Sequence, residues 1–166
     1  MTRSWRAWKA PSRPARATPS ATASPPVRRE IVARLGMQDV NTIVRGFDRP
    51  NIWLGVETFT DDVGKERALV ARLASAAGPG IVYVATRKTA EALAKRICDA
   101  GFKADAYHAG MSAKPRARVQ DDFMGDRLDV IVATIAFGMG IDKPGVRFVY
   151  HYDISESVDA YYQEIG

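Results

Sequence analysis

A loop that follows an apolar stretch is the part of this sequence best suited to bind a ligand. Residues 130–132 are all β-branched and apolar, which predicts a strand buried on both faces. The following loop offers a hydroxyl, two bare backbones and a carboxylate, at Thr134, Gly138, Gly140 and Asp142. Small residues let a ligand approach the main chain closely. The alternative is an ordinary strand-to-loop turn with structural glycines.

Two further loops follow predicted strands. Thr86 and Arg87 stand where a strand ends and a helix begins, so a hydroxyl, a guanidinium and backbone amides can converge there on an anion such as phosphate. An ordinary helix cap beside an exposed arginine explains the same residues. His108 opens the other loop, and a metal site built on it and the distant His151 would lack a carboxylate or thiolate partner. We therefore expect His108 to be a hydrogen-bonding loop residue and His151 a core or sheet-edge residue.

Strands alternate with helices along most of the chain. Apolar runs and turn residues predict strands at 51–59, 80–85, 103–107, 130–133 and 146–152, and helices at 61–77, 87–100, 112–124 and from about 155 onward. An earlier helix is predicted from Pro25 to Leu35, capped by Ser24. This alternation indicates an α/β fold, with a mainly parallel sheet flanked by helices on both faces. The three loops should then lie at one edge of the sheet, where the strands end.

The charge distribution restricts any nucleic-acid site to local groups. The 166 residues carry a net charge of +5, but residues 1–34 hold eight basic residues and one acidic residue, a net of +7. The rest of the chain therefore carries a net of −2. Residues 1–19, rich in Arg, Pro, Ser and Ala, are predicted to be a disordered basic tail.

The single cysteine and the hydropathy pattern exclude other classes of protein. One cysteine cannot form an intramolecular disulfide framework or a cysteine-based zinc cluster, and the helical pattern around Cys98 predicts a buried core thiol. No apolar run approaches the roughly 18 to 20 residues that a membrane helix needs. The composition, 46% apolar, is sufficient for one domain with a core of its own.

The sequence contains no phosphate-binding loop of its own. The only Gly-Lys pair, Gly64-Lys65, is followed by Glu66 instead of Ser or Thr, and Phe59 stands where the earlier glycine is required. No acidic box that could hold Mg²⁺ follows a predicted strand. The α/β frame thus has an edge suited to ligands but no cradle for a nucleoside triphosphate.

Several segments, in order, resemble the second RecA-like motor domain of RecQ-type DNA helicases, which belong to superfamily two. Residues 46–52 resemble the lead into that domain, 81–87 helicase motif IV, 107–111 the loop after the next strand, 133–144 motif V and 161–166 the start of motif VI. Residues 20–26 resemble, more weakly, the end of the first motor domain. The resemblance implies three parts: the tail at 1–19, a remnant of the first domain and linker at 20–45, and the RecA-like (P-loop NTPase-like) helicase C-terminal domain at 46–166.

The resemblance also assigns roles to particular residues. The residues that would face DNA are Arg87, His108, Thr134, Gly138 and Met139. Those that would face ATP are Gly140, Asp142 and Gln163, and Lys143 and Pro144 would shape the exit of the loop. A complete relative would use ATP and Mg²⁺ for 3′-to-5′ movement on single-stranded and forked DNA in repair and recombination. We expect a cytoplasmic location, associated with the nucleoid if the source is bacterial.

The sequence also departs from the family pattern. A family member should have the ATP-binding lobe before residue 20 and arginines that reach the γ-phosphate after Gly166, so we expect a truncated product. Ser155 stands where the family often has proline. By itself such a chain should bind nucleic acid weakly, hold no cofactor tightly and hydrolyse no ATP. The alternatives are a non-enzymatic nucleic-acid-binding module, an inactive gene fragment, or an unrelated doubly wound domain that binds a small phosphorylated ligand.

Overall fold

The computed structural model describes residues 2–9, 25–34, 52–135, 137 and 143–165. The chain divides into two compact units, one formed by residues 1–11 and 51–166 and the other by residues 12–50. The strands are β1 (Thr2–Lys9), β2 (Ile52–Phe59), β3 (Gly80–Tyr83), β4 (Ala104–Tyr107), β5 (Val130–Ala133) and β6 (Phe148–His151). The helices are α1 (Pro25–Arg34), α2 (Asp62–Ser75), α3 (Arg87–Asp99), α4 (Ala113–Met124) and α5 (Val158–Ile165).

The first unit is built on a sheet in the order β2-β1-β6-β3-β5-β4. Strands β3 to β6 run parallel, whereas β1 pairs antiparallel with both β2 and β6. Tyr83 lies opposite both Ala133 and His151, and Ala133 lies opposite Tyr107. The four parallel strands therefore end at the same level. The predicted α/β fold with a mainly parallel sheet is confirmed.

Helices cover the sheet on both faces and divide the core into two clusters. Because successive side chains of a strand point to opposite faces, Val82 belongs to one cluster while Ile81 and Tyr83 belong to the other. The first cluster contains apolar residues of α2 and α3, namely Leu69, Leu73, Ala90, Leu93, Ala94 and Ile97. The second contains residues of α4 and α5, namely Val119, Phe123 and Ile165.

Polar side chains fix the starts of α2 and α3. Asp61 Oδ1 accepts a hydrogen bond from the Gly64 N–H at 2.6 Å, and this bond holds the pKa of Asp61 below its usual value. Thr86 caps α3 in the same way, its hydroxyl accepting from the Thr89 N–H at 3.1 Å. Thr86 therefore forms an ordinary helix cap, which was one of the two interpretations of this residue.

The amino ends of the parallel strands meet in a tight contact. Gly80 opens β3 and lies opposite Phe148 of β6. A β-carbon added to Gly80 would come 2.3 Å from the Phe148 ring. The ring is itself buried in the first core cluster, so it uses the space that a side chain at position 80 would need.

Strand β1 occupies residues 2–9 of the segment predicted to be a disordered tail. It pairs with β2 along its whole length, from Thr2 opposite Phe59 to Lys9 opposite Ile52, and its second half also pairs with β6. Partner strands on both sides supply hydrogen bonds that a basic segment without a hydrophobic period cannot supply for itself. Composition was therefore a poor guide here. Residues 10–19 of the predicted tail lie outside the described part of the chain.

Cys98 is exposed, so the predicted core thiol is wrong. The buried stripe of α3 follows the spacing Ala90, Leu93, Ala94 and Ile97. Cys98 lies one position beyond that stripe, rotated by about 100° around the helix. Its Sγ lies 3.0 Å from the Ala104 carbonyl oxygen.

The last helix begins at Val158, later than the predicted start near Ser155. The Ser155 hydroxyl donates to the Glu164 carboxylate at 2.6 Å, so it does not cap the start of the helix. Ser157 instead accepts from the Ala160 N–H at 3.1 Å, as a helix cap does.

Helix α1 belongs to the second unit and confirms the predicted helix over residues 25–34. Glu30 and Arg34, one turn apart and both exposed, form an ion pair at 2.8 Å. The predicted cap at Ser24 and the end at Leu35 lie outside the described residues. No described helix of either unit combines the length and the apolar character that crossing a membrane requires.

Replacing Arg6 with Pro tests the position of β1. Arg6 lies opposite Gly55 of β2 and Tyr150 of β6, so its N–H faces a partner strand. Proline removes that donor and leaves a carbonyl of the partner strand unpaired, so we expect the free energy of unfolding to fall by about 1–3 kcal/mol. Urea denaturation measures the change, and Arg6→Ala, which keeps the N–H, is the matched control. Equal stability of the two variants would show that β1 is not a strand of this sheet.

Candidate functional site

The loops after β3 and β4 meet at the edge of the sheet where the parallel strands end. Arg87, the first residue of α3, is exposed and lies across Gly110 of the loop after β4. A β-carbon added to Gly110 would come 2.8 Å from an Arg87 guanidinium nitrogen and 3.0 Å from its Cδ. Because Gly110 has no side chain, the Arg87 side chain can lie across this position at the edge of the sheet. These two loops therefore lie together at one edge, as predicted.

His108 is buried and anchors the loop that carries Gly110. Its Nε2 lies 3.0 Å from Oε1 of Glu91 on α3, and its buried Nδ1 has no hydrogen-bond partner among the described residues. Glu91 follows Arg87 by four residues, so the two lie on the same side of the helix. The expectation of a hydrogen-bonding loop residue is confirmed.

Thr134 lies half-buried directly after β5. Its N–H donates to the Tyr107 carbonyl oxygen at 3.2 Å, and its own carbonyl accepts from the Phe137 N–H at 3.0 Å. It lines a cleft that is rich in carboxylates, which belong to Asp153, Glu156 and Glu164. These negative charges would repel a phosphate placed deep in the cleft, so an anion is better accommodated on the Arg87 side of the edge.

Asp153 is an organising carboxylate that the sequence analysis missed. Its Oδ2 accepts from the Ala85 N–H at 2.8 Å, which joins the segments after β3 and β6. Its Oδ1 lies 3.3 Å from Nζ of Lys65, a residue only 4% exposed whose ammonium also lies 3.7 Å from the centre of the Tyr152 ring. One sequence signal was available, because Lys65 precedes the buried Leu69 by four residues and so shares the inner face of α2.

A second missed carboxylate, Glu164, ties α5 to the end of β6. Its Oε2 lies 2.8 Å from Nε2 of His151 and accepts from the Ser155 hydroxyl at 2.6 Å. The His151 ring stacks on Tyr83, with 5.5 Å between ring centres. His151 is a core residue, which the sequence analysis left open. No local pattern could have revealed its pairing with Glu164, because 13 positions separate them.

Tyr83 joins this cluster to the loop after β5. Its hydroxyl donates to the Phe137 carbonyl oxygen at 2.7 Å. Burial first, and the charge of Glu164 second, raise the pKa of Tyr83 well above its ordinary value of 10.0. The phenol consequently stays protonated and keeps its donor role over the whole physiological pH range.

Lys143 anchors the far end of the same loop. Its side chain is buried, and Nζ lies 2.7 Å from Oδ1 of Asp126 and 3.3 Å from the Met124 carbonyl oxygen at the end of α4. A cation at this position complements the carbonyl groups left unpaired at a helix C-terminus. The residue predicted to shape the loop exit does so by capping α4.

Four of the predicted site residues lie outside the described part of the chain, namely Gly138, Met139, Gly140 and Asp142. Gln163 is described and is exposed on α5. Within the described ranges, no group of three or more carboxylate, imidazole or thiol side chains could hold a metal ion. The structure thus brings Arg87 and the His108 loop together, whereas Thr134 follows β5 and Gln163 lies on α5.

The sequence was compared with known protein families and proteins. The family model described as the helicase conserved C-terminal domain matches residues 64–166. The chain is 41% identical over 147 residues to ATP-dependent DNA helicase RecQ of Haemophilus influenzae, an alignment that covers 89% of this chain and 23% of that protein. It belongs to the RecQ-type helicase C-terminal domains.

Further comparisons agree with this RecQ-type domain. A probable ATP-dependent DNA helicase, RecS of Bacillus subtilis, is 38% identical over 148 residues, covering 89% of this chain and 30% of that protein. The chain thus spans less than a third of the length of these two relatives. The solved structure of the Escherichia coli DEAD-box protein SrmB, bound to regulator of ribonuclease activity A, superposes with a TM-score of 0.59. Its identity is 31%, over 64% of this chain and 63% of that one.

Replacing Tyr83 with Phe should reduce the loss of stability in alkaline solution. Above about pH 10 the unfolded chain releases the Tyr83 proton while the folded chain keeps it, so stability is complete below that pH and falls above it. One such proton contributes up to about 1.4 kcal/mol per pH unit. We expect Tyr83→Phe to lack this part of the slope in urea unfolding between about pH 9 and about pH 11.

Tyr162→Phe is the matched control for this measurement, because it removes the hydroxyl of an exposed tyrosine on α5. Its slope is compared with that of Tyr83→Phe. Identical slopes for Tyr83→Phe and the unchanged chain would contradict the assigned protonation of Tyr83.

Proposed function

We propose that this chain acts as the C-terminal motor lobe of a RecQ-type ATP-dependent helicase that moves 3′ to 5′ and unwinds DNA in repair and recombination. Residues 46–166 form the second RecA-like domain in this proposal, and residues 20–45 the end of the first together with a linker. The observation that carries the proposal is the position of Arg87 across Gly110, at the edge where the parallel strands end. Such a protein works in the cytoplasm, at the nucleoid in a bacterium.

The DNA-facing surface consists of groups that hold phosphate without reading bases. A guanidinium forms strong hydrogen bonds to phosphate oxygens, and hydroxyls and backbone amides of glycine-containing loops add weaker ones. Arg87 and Thr134 supply the first two groups, and Gly138 and Met139 are assigned to DNA binding with them. His108, buried against Glu91, holds the loop in place. Contacts of this kind suit a motor that moves along single-stranded or forked DNA of any sequence.

The ATP-facing groups are Gly140, Asp142 and Gln163, and the first RecA-like lobe is the partner that completes the site. Gln163 is exposed on α5, as a contact to a second lobe requires. Mg²⁺ and the phosphates are held mainly by that partner, because this sequence has Gly64-Lys65-Glu66 where a phosphate loop would have Ser or Thr. Charge on the transferred phosphoryl group must be met from both sides.

A second candidate function is a nucleic-acid-binding module without enzymatic activity. The missing phosphate loop favours it for this chain taken alone. An assay of ATP hydrolysis separates the two when the first lobe is supplied and the chain is extended past Gly166, because only a motor lobe can contribute to turnover.

Replacing Arg87 with Ala should weaken the binding of single-stranded DNA severalfold. The loss of one phosphate contact should also reduce the slope of log affinity against log salt concentration by about 0.7. Fluorescence anisotropy of a labelled oligothymidine, titrated at several salt concentrations, measures both. The full chain is used because residues 2–9 provide a strand of the sheet.

Arg147→Ala is the matched control for Arg87→Ala. Arg147 is also exposed and also lies over a glycine, with its Cγ 2.9 Å from the position of a β-carbon on Gly78. It precedes β6, so it stands at the opposite edge of the sheet. We expect its replacement to change affinity less. Equal effects of the two variants would show that the binding is a general charge effect and that Arg87 has no special role.

The purified chain should hydrolyse no ATP, even with Mg²⁺ and DNA present. Its sequence has no phosphate loop, so it lacks the cradle that holds the nucleotide and its metal ion. A coupled assay of ADP release measures this. DNA-stimulated hydrolysis that Asp142→Ala abolishes would exclude a contaminant and refute the expectation.

A further inference from the structure

A continuous series of buried contacts runs through the sheet from the loop after β5 to α5. The Tyr83 hydroxyl donates to the Phe137 carbonyl oxygen at 2.7 Å, and the Tyr83 ring stacks on His151 at an interplanar angle of 19°. His151 Nε2 then lies 2.8 Å from Glu164 Oε2. The relative exposure of Tyr83 is 3% and that of His151 is 1%. We call these three residues, Tyr83, His151 and Glu164, the buried relay.

The two ends of the buried relay belong to segments with different proposed ligands. Phe137 lies in the loop after β5, which also carries Thr134, the proposed DNA contact. Glu164 follows Gln163, the proposed ATP contact, on α5. The relay spans the sheet through β3 and β6, the two strands between the loop and the helix.

The chemistry of the buried relay allows little independent movement. A buried hydrogen bond that breaks leaves an unpaired polar group, which is unfavourable in a medium of low dielectric constant. The imidazole of His151 is held by its bond to Glu164 and by the stacked Tyr83 ring, and its buried Nδ1 has no partner within the part of the chain that is described. The Ser155 hydroxyl holds the same carboxylate oxygen from the other side. Displacement of α5 therefore disturbs His151, and through the stacked rings it disturbs Tyr83 and its bond to Phe137.

We propose that Tyr83, His151 and Glu164 are positioning residues that couple the loop after β5 to α5, so that a ligand bound at one segment changes the other. The proposal rests on the proposed function for the identity of the two ligands. The coupling itself rests on the contacts alone.

A double-mutant cycle tests the coupling in the full chain. Tyr83→Phe removes the hydroxyl and keeps the ring, and Glu164→Gln removes the charge and keeps the shape. Their effects on the unfolding equilibrium constant should deviate from simple multiplication by on the order of twofold or more. Glu156→Gln, an exposed carboxylate that lines the same cleft, replaces Glu164→Gln in the control cycle and should multiply with Tyr83→Phe.

Nuclear magnetic resonance provides a readout that a purely structural role would not change. Oligothymidine added to the unchanged chain should shift the backbone amide signals of Glu164 and Ile165 as well as those of Thr134 and Phe137. In Tyr83→Phe, which loses only one hydroxyl and should fold, DNA should still shift the loop signals but no longer those of α5. If Glu164→Gln does not fold, this comparison still tests the coupling, because it uses only the unchanged chain and Tyr83→Phe.

The outcomes separate the two proposals. If oligothymidine shifts the loop signals and leaves α5 unmoved in the unchanged chain, the coupling is refuted while DNA binding stands. If oligothymidine shifts no signal while the double-mutant cycle is non-multiplicative, the proposed function fails and the physical link between the two segments stands. If the α5 shifts persist in Tyr83→Phe, the relay through Tyr83 is refuted.

Discussion

The common level at which four parallel strands end is the constraint on which the rest of this structure depends. Pairing of Tyr83 with Ala133 and His151, and of Ala133 with Tyr107, fixes that level. A slip of one residue in any pair would turn its side chains to the other face, and both faces are buried under helices. The packing of the core therefore enforces the register. The register in turn places the segments that carry Arg87, His108 and Thr134 at one edge.

Polar groups at that edge are paired across elements that are distant in sequence. The Ala85 amide donates to Asp153, and the imidazoles of His108 and His151 pair with Glu91 and Glu164. Each pairing joins a segment after one strand to another element of the fold. These pairings hold the described segments of that edge in fixed positions relative to one another.

The helices and the parallel strands could be predicted from the sequence because they depend on local residue patterns. β-Branched runs at residues 130–132 and helical spacing such as Ala90, Leu93, Ala94 and Ile97 identify their elements without tertiary information. Strand β1 escaped detection because its stability comes from partners more than 40 residues away. Glu164 and Asp153 escaped for the same reason, since their partners are set by the order of strands in space. The predicted start of α5 at Ser155 and the predicted burial of Cys98 were each wrong by less than one helical turn, which is an ordinary error for helix boundaries.

The contact between Gly80 and the Phe148 ring has a consequence for how this domain can change over evolutionary time. The two positions share one volume, because the space above position 80 is filled from position 148. A side chain gained at position 80 must be matched by a smaller one at position 148, and neither change is tolerated alone in a close-packed interior. Related sequences should therefore vary at these two positions as a pair, small with large or intermediate with intermediate.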